Sequence, residues 1–383
     1  MLETEEAARR LGVKRDTLYA YVSRGLLVSH RSADGRRSLF DVADIEQMAR
    51  RARGARRVES RLATVTTAIT QLREEGPAYR GHLAVGLAGT SSYEEVAGLL
   101  WSSDAGSPAD WEPADIGPAP DVGTSDRLRW AAVMTGAGDH LRADLRPEAV
   151  VRAARRLIGS MVHVVGDTPA AMAPSNTSIA RRLAVALSPS ASPAAVEAVN
   201  AALVLLADHE LATSTVAVRV AASTRADLYD AISAGLATLG GPLHGGASQL
   251  AHSLLVEAER RGPERALNEV LRWQGMLPGF GHTVYTQGDP RAGVLLERFE
   301  ALATSDRQSL VRAVVELAAA HRIPLPNVDL GLAAIVWTLG LPPDAGHTIF
   351  AVARVAGWTA HYLEELTERP LRFRARAVYA TAG

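Results

Sequence analysis

Two glycine-flanked histidines, His244 and His282, have the sequence surroundings that most suggest chemistry. His244 stands in the run Gly-Gly-Pro-Leu-His-Gly-Gly at 240–246, and His282 ends the run Leu-Pro-Gly-Phe-Gly-His at 277–282. Glycine permits sharp turns and close approach of a ligand, and histidine can donate or accept a proton near neutral pH. The pair suggests a site built around a carbonyl group, although either histidine alone would fit a capped helix end.

Other polar residues interrupt apolar stretches. His209 lies between two acids, Asp329 follows a proline-constrained turn, and Arg354 stands in the middle of the apolar segment 350–364. A buried polar group without a partner costs about 1–3 kcal/mol, and a buried arginine usually holds an anion. Asp329 alone would be interpreted as a helix cap.

The elements that must position these residues are predicted to be helices. The chain of 383 residues is 47% apolar, 22% charged and only 5% aromatic, and abundant Ala and Leu favour helix over strand. No convincing strand appears between residues 76 and 200, and 102–124 is predicted to be a surface loop. The clearest predicted helices are 93–101, 147–164, 177–187, 193–206, 246–261 and 330–339.

Several classes of protein are excluded by composition. The sequence has no cysteine, which rules out disulfides, thiolate metal sites and cysteine nucleophiles. No apolar run approaches the roughly 18 residues of a membrane span. Charged residues occupy the first ten positions where a signal peptide would be apolar, so we expect a cytoplasmic protein.

Residues 1–57 are basic, with thirteen Arg or Lys against eight Asp or Glu, while the whole chain has a net charge of −1. Two short helices joined by a Gly-containing turn predict a helix-turn-helix within them. A strand, an Asp-Gly turn, a return strand and a third helix follow. A linker helix is predicted over 55–75, where apolar residues recur every three or four positions.

This first segment resembles the DNA-binding domain of MerR-type and excisionase-type winged-helix proteins. The matching runs are 4–13, 17–18, 24–26 and 35–41. The resemblance implies a DNA-binding domain at 1–54, and arginine suits both phosphate and guanine contacts. The residues expected to face DNA are Arg15, Tyr19, Arg24, Arg36 and Arg37.

Residues 76–383 resemble the citrate synthase family. The motifs are, in chain order, Asp-His-Glu at 208–210, Gly-Pro-Leu-His-Gly-Gly-Ala at 241–247, Gly-Phe-Gly-His with Asp-Pro-Arg-Ala at 279–292, Pro-Asn-Val-Asp at 326–329, and Arg354 before Gly-Trp-Thr-Ala-His at 357–361. The resemblance implies an all-α, two-domain homodimer, with a small domain over about 247–334.

The resemblance also implies a role for each matching residue in condensing acetyl-CoA with oxaloacetate. Asp329 would remove a proton from the acetyl methyl group, His244 would stabilise the enol oxygen, and His282 would polarise the ketone. The carboxylates of oxaloacetate would be bound by His209, Arg291 and Arg354, together with Arg374 from the partner subunit. No metal or bound cofactor is implied.

Four positions depart from the family pattern, and each bears on specificity. Ser248 replaces the usual Asn, Thr283 replaces Arg, Leu330 begins a run that replaces an aromatic one, and Ala375 stands where Pro is usual. These changes leave oxaloacetate or another 2-oxo acid open as the second substrate.

Three functions therefore remain. The first is a citrate synthase-type acyltransferase, including a 2-methylcitrate synthase-type enzyme that uses propionyl-CoA. The second is a DNA-binding regulator whose citrate synthase-like body senses a metabolite; in a homodimer two such modules would suit a palindromic site. The third is a structural adaptor role for residues 1–57. Intact catalytic residues favour the enzyme.

Overall fold

The computed structural model describes residues 1–11, 13, 18, 21–22, 27, 29–32, 38–42, 44–45, 48, 65–166, 176–241, 244–274 and 276–374. The chain divides into two compact units, Met1–Thr66 and Thr67–Gly383. The sequence predicted an N-terminal domain ending at residue 54, followed by a linker.

The first unit contains a small antiparallel sheet and a short helix. Strands β1 (Leu2–Glu3), β2 (Ser29–Arg31) and β3 (Ser38–Phe40) pair in the order β1-β3-β2, beside helix α1 (Thr4–Leu11). Its apolar face buries Ala7, Ala8 and Leu11 against Leu18, Leu27, Phe40 and Ile45. The predicted first helix and hairpin strands are confirmed, and β1 was not predicted.

The second unit is predominantly helical, as predicted. Six of its described helices begin at a residue whose side chain caps them; Ser92, for example, forms a capping box with Glu95, and Ser192 caps a helix that has Pro193 at its first position. The helices are α2 (Ala84–Thr90), α3 (Tyr93–Trp101), α4 (Thr124–Ala137), α5 (Pro147–His163), α6 (Ile179–Leu187), α7 (Pro193–Leu206), α8 (Thr213–Ser223), α9 (Leu228–Leu239), α10 (Ala247–Arg261), α11 (Pro263–Gln274), α12 (Pro290–Leu302), α13 (Ser305–Ala320), α14 (Val328–Thr338) and α15 (Ala345–Leu366).

A hairpin at the start of this unit corrects two predictions. Strands β4 (Thr70–Arg73), β5 (Gly76–Tyr79) and β6 (His82–Leu83) form an antiparallel sheet. The prediction of a linker helix over 55–75 is therefore wrong for the described part, residues 65–75. The prediction that no strand occurs between residues 76 and 200 is also wrong. The predicted loop at 102–124 contains only a short 3-10 helix, Pro108–Trp111.

The hairpin is hydrogen-bonded to the end of α7, just before the loop that carries His209. Tyr79 is fully buried, and its hydroxyl lies 3.1 Å from the carbonyl oxygens of Val204, Leu205 and Asp208 at the end of α7. Since carbonyls in the last turn of a helix have few partners within the helix, the tyrosine hydroxyl ties the hairpin to the helix end.

A separate apolar cluster lies inside the predicted small domain. It joins α10, α11 and α13 through residues that include Leu254, Leu267, Leu277 and Val314. This cluster supports the small domain predicted over 247–334, which stays a prediction.

Helix α15 also carries a buried ionic cluster. Arg219 on α8 is fully buried; it bonds Glu365 at 2.8 Å and the Nδ1 atom of His361 at 3.1 Å, and it pairs with Glu364. Breaking a buried pair by removing one partner leaves an uncompensated charge.

We expect Arg219→Met to lower the free energy of unfolding by about 2–3 kcal/mol, which is below the ~3–5 kcal/mol of a fully broken buried pair, because buried Glu365 keeps Arg372 as a partner. The matched control is Arg142→Met, since Arg142 pairs with Asp227 near the surface and should lose about 1 kcal/mol or less. Denaturant titration of both variants measures the difference, and equal losses would contradict the assignment.

None of the helices in the described part of the chain is both long and apolar enough to cross a lipid bilayer.

Candidate active site

A cavity of about 410 Å³ opens where several inter-helix loops meet helix termini. The loops after α7, α9 and α11 reach it, together with the first turns of α12 and α14 and the middle of α15. Six of the residues singled out in the sequence line this cavity: His209, His244, His282, Arg291, Asp329 and Arg354. The structure thus brings together residues that are up to 145 positions apart in the chain.

Asp329 lies in the first turn of α14. The side chain of Asn327 caps the helix by accepting the Asp329 N–H at 3.0 Å, so Asp329 itself is not the capping residue. Burial raises the pKa of the Asp329 carboxyl to about 6, with Asp289 adding to the rise and Arg291 opposing it. A carboxylate with a pKa near neutrality is suited to act as a general base.

The turn before His282 is bonded directly to the segment before Asp329. The Gly281 N–H donates to Leu325 O at 2.9 Å, and Asn327 donates to Gly279 O and Gly281 O. Gly279 and Gly281 have φ of +84° and +77°, values that disfavour other residues. The close approach also requires glycine, because a Cβ on Gly279 would lie 2.9 Å from the Cβ of Leu330. These bonds hold the imidazole and the carboxylate in a fixed relation.

The backbone fixes the tautomer of His282. Its Nδ1 accepts the N–H groups of Val284 at 3.0 Å and Tyr285 at 3.2 Å, so the proton resides on Nε2. Burial and then the charge of Arg291 lower the pKa of His282. The ring is therefore a neutral hydrogen-bond donor.

His244 is also a neutral ring, and it is positioned by a residue to which the sequence gave no role. Its Nε2 lies 2.8 Å from the hydroxyl of Ser214 on α8. Burial, followed by the charge of Arg354 and by His347, lowers the pKa of His244 to about 4. The turn is tight as predicted: a Cβ on Gly245 would lie 2.5 Å from Leu239 O.

Arg354 is a buried cation that forms no ion pair with any carboxylate of the described residues. It is 1% exposed, its Nε donates to Leu206 O at 2.8 Å, and its guanidinium lies 4.6 Å from the ring centroid of Phe350. Among the described residues no carboxylate lies within ion-pairing distance of it. Burial lowers its pKa to about 10, and an anionic ligand would compensate its charge.

Arg291 differs, because it is already paired. Its Nε and Nη2 donate to the two carboxylate oxygens of Asp289 at 3.0 and 2.8 Å. Asp289 also accepts the N–H of Val328 at 3.1 Å. This bidentate pair fixes the guanidinium at the edge of the cavity and connects α12 to α14.

His209 completes the cationic end of the cavity. Its ring meets that of His282 edge-on at 5.2 Å, and its buried Nε2 has no hydrogen-bond partner among the described residues. Burial, with Arg291 and Arg354, moves its pKa well below the ordinary value. An unpaired buried nitrogen facing two guanidinium groups fits a site that awaits an anionic acceptor.

Comparison with known proteins identifies the family of the chain. A family model described as the C-terminal domain of citrate synthase matches residues 117–376, about two thirds of the chain. The chain belongs to the citrate synthase family. A second model, described as a helix-turn-helix domain, matches residues 1–53.

Similar proteins carry related names. Citrate synthase 2 of Bacillus subtilis is 40% identical over 194 residues, which cover 49% of this chain and 52% of that protein. The 2-methylcitrate synthase 2 of Corynebacterium glutamicum is 34% identical over 189 residues, covering 48% and 49%. The chain thus spans about half the length of these relatives. The crystal structure of citrate synthase from Thermotoga maritima superimposes with a TM-score of 0.70 at 25% identity, covering 84% of this chain and 94% of that one.

The other residues that the sequence singled out differ in where they lie. Arg374 is exposed and does not line the cavity. The resemblance places Arg374 in the oxaloacetate site of a partner subunit, not in the site of its own chain. Of the four departures, Thr283 lines the cavity, Leu330 is fully buried beside Gly279, and Ser248 is buried with no partner for its hydroxyl among the described residues. Lying outside the described residues are Ala375 and the predicted DNA-facing Arg15, Tyr19, Arg24, Arg36 and Arg37.

Within the described ranges, no group of His, Asp and Glu side chains is arranged to hold a metal ion.

Proposed function

We propose that this protein condenses acetyl-CoA with oxaloacetate to give citrate and CoA. The observation that carries the proposal is the convergence on one cavity of a carboxylate of raised pKa, two neutral imidazoles and a buried guanidinium that has no carboxylate partner among the described residues. Each is a group that the reaction needs, and the family membership gives the same assignment.

In the proposed first step Asp329 takes a proton from the methyl group of acetyl-CoA. The methyl group of a thioester is a weak acid, so the negative charge that develops on the carbonyl oxygen must be stabilised as the proton leaves. His244 donates a hydrogen bond to that oxygen. Because its pKa is low, the ring is neutral and carries a single N–H, which it shares with the oxygen. Ser214 holds the ring in place.

In the second step the methyl carbon attacks the ketone of oxaloacetate. A carbon–carbon bond forms, and the ketone oxygen gains a proton by way of His282, whose Nε2–H is fixed by the backbone. Arg354, Arg291 and His209 bind the carboxylates and orient the ketone. Water then hydrolyses the citryl-CoA thioester, which releases citrate and CoA.

The experiment is a thiol-release assay on the purified chain, with oxaloacetate and either acetyl-CoA or propionyl-CoA. We expect CoA release that depends on both substrates. A preference for propionyl-CoA would favour the 2-methylcitrate synthase-type reaction, to which one of the relatives is assigned by name. Absence of release with both donors and with other 2-oxo acids would refute the proposal.

The pH dependence follows from Asp329. Because the base must be ionised and its pKa is about 6, kcat/KM should fall as the pH decreases through about 6. His244, with a pKa of about 4, remains neutral from pH 5 to 8 and therefore does not change the pH dependence of the rate in this range. Initial rates at low oxaloacetate and constant ionic strength, from pH 5 to 8, test this; a flat profile down to pH 5 would contradict the role of Asp329.

We further propose that the enzyme is a cytoplasmic homodimer in which Arg374 completes the partner's site. Large apolar side chains are exposed on α4 (Val133 and Met134) and α8 (Val220), helices that both pack against α9. Sedimentation equilibrium should give twice the chain mass, and Arg374→Ala should weaken oxaloacetate binding without changing the mass. A monomer that is fully active would refute this.

The helix-turn-helix match over residues 1–53 supports DNA binding as a second function of the same chain. Its affinity should fall steeply with salt, and in the regulator alternative it should change when oxaloacetate or CoA is added. Fluorescence anisotropy with random duplex DNA tests both statements. Salt-independent or absent binding would leave residues 1–57 as an adaptor.

A further inference from the structure

Tyr285 contacts three of the residues proposed to bind and polarise oxaloacetate. Its ring stacks on His282 with centroids 4.7 Å apart and planes 28° apart. It meets His209 edge-on at 5.8 Å, and the guanidinium carbon of Arg291 lies 5.6 Å from its centroid. One aromatic ring thus lies among an imidazole donor, a second imidazole and a cation.

The ring itself is buried and does not line the cavity. Tyr285 is 5% exposed and is absent from the residues that form the cavity wall. It therefore acts on a substrate only through the side chains that it contacts. Its ring also covers one face of His282, which excludes water from that face.

The hydroxyl of Tyr285 contributes little to this arrangement. It is buried and has no hydrogen-bond partner among the described residues, a situation that usually costs free energy. Burial raises its pKa to about 12, so the group stays neutral. The ring contacts, not the hydroxyl, are what the surrounding residues use.

We propose that the ring of Tyr285 is a positioning element that holds His282 in its donor orientation and shields it from water. The inference rests on the proposed condensation, since it deepens the role of His282. It applies to the ring as a packing surface and makes no use of the hydroxyl. Tyr285 is a positioning residue, because it touches His282 and not the reacting atoms.

The charged and titratable groups around His282 set the expected pH response. Arg291 and His209 face the ring, Asp289 stands behind Arg291 as its partner, and Glu210 and Asp329 line the same cavity. The two largest causes of its lowered pKa are burial and the charge of Arg291. Removing the aromatic shield reduces the first and leaves the second, so the pKa of His282 should rise toward its ordinary value.

The test compares Tyr285→Phe, which keeps the ring, with Tyr285→Leu, which removes it. We expect kcat for Phe within about twofold of wild type, and for Leu a decrease of roughly tenfold to a hundredfold, since small misplacements of a catalytic group have effects of that size. KM for acetyl-CoA should change little in both. Thermal unfolding should give Phe a midpoint at or above that of wild type, because an unpaired hydroxyl is removed.

A second readout does not depend on activity. In protein labelled with ¹⁵N-histidine, NMR titration of His282 should show a raised pKa in the Leu variant and an unchanged one in the Phe variant. If wild type proves inactive with every substrate, this titration still tests the positioning role. An unchanged His282 pKa in the Leu variant, or an equal loss in Phe and Leu, would overturn the proposal. Should Leu fail to fold, Tyr285→Met, whose longer and more flexible side chain also lacks a ring, carries the same expectation.

Discussion

Replacing Asp329 with Asn is expected to lower kcat by about 10²–10⁴, the range that a positioned general base contributes. The amide keeps nearly the same shape but cannot accept the methyl proton. Substrate binding should persist, because the anion-binding groups Arg354 and His209 are untouched. Rates of thiol release at saturating substrates measure the effect.

The same substitution should raise stability at pH 7. The carboxyl has a pKa of 3.8 in the reference state and about 6 in the fold, so folding disfavours its ionised form. The resulting destabilisation is full above about pH 6 and disappears below pH 3.8. The neutral amide introduced by Asp329→Asn removes this destabilisation, so the thermal midpoint at pH 7 should increase while the rate decreases.

Glu210→Gln is the matched control for the base. Glu210 also lines the cavity, but its carboxylate has no role in the proposed reaction, so its neutralisation should alter kcat by only a few fold. An Asp329→Asn enzyme that keeps more than a tenth of the wild-type rate, or a Glu210→Gln enzyme that loses as much, would contradict the assignment of the base.

Replacing Arg354 with Met should raise KM for oxaloacetate by about 10²-fold or more. Loss of one partner from a buried, hydrogen-bonded charge pair costs about 2–5 kcal/mol, and each 1.4 kcal/mol is about tenfold in affinity. Arg354 forms no ion pair with a described carboxylate, and the nearby buried carboxylate that it stabilises, Asp208, also pairs with His361 at 3.3 Å, so the substitution leaves Asp208 with a partner. KM for acetyl-CoA should remain close to that of wild type.

Arg291→Met provides the contrast for this prediction. Arg291 is bonded to Asp289, whose side chain is fully buried, so its loss leaves a carboxylate unpaired and should lower the thermal midpoint as well as the affinity. Arg354→Met should spare the midpoint by comparison. An Arg354→Met enzyme with unchanged KM for oxaloacetate would show that the substrate carboxylates bind elsewhere.

Local signals in the sequence were sufficient to locate most helices. Helix α7 was predicted with the bounds that the structure has, because Ser192 and Pro193 mark its start. The hairpin β4–β5 was missed, since Leu72 and its apolar neighbours recur every three or four positions and fit a helix equally well. The strand conformation is favoured by a tertiary contact, the hydrogen bonds from buried Tyr79 to the end of α7. No local sequence pattern indicates that contact.

In the site, too, residues with a local sequence signal were found and residues that act through tertiary contacts were missed. His244 and His282 stood out because glycine surrounds them, and Arg354 because it interrupts an apolar helix. Ser214 and Tyr285 were not singled out, since each acts by contact with a histidine and carries no distinctive neighbours. The chemical role of each residue came from the family resemblance, not from spacing, and remains a proposal.

The most direct test of the central claim is a crystal structure with oxaloacetate and a non-hydrolysable acetyl-CoA analogue bound together. We predict that the oxaloacetate carboxylates contact Arg354, Arg291 and His209, that its ketone accepts from His282, and that the oxygen which replaces the thioester carbonyl in the analogue accepts from His244, with the analogue's terminal group against Asp329. Ligands bound outside this cavity, or an acyl group beyond reach of Asp329, would contradict the account.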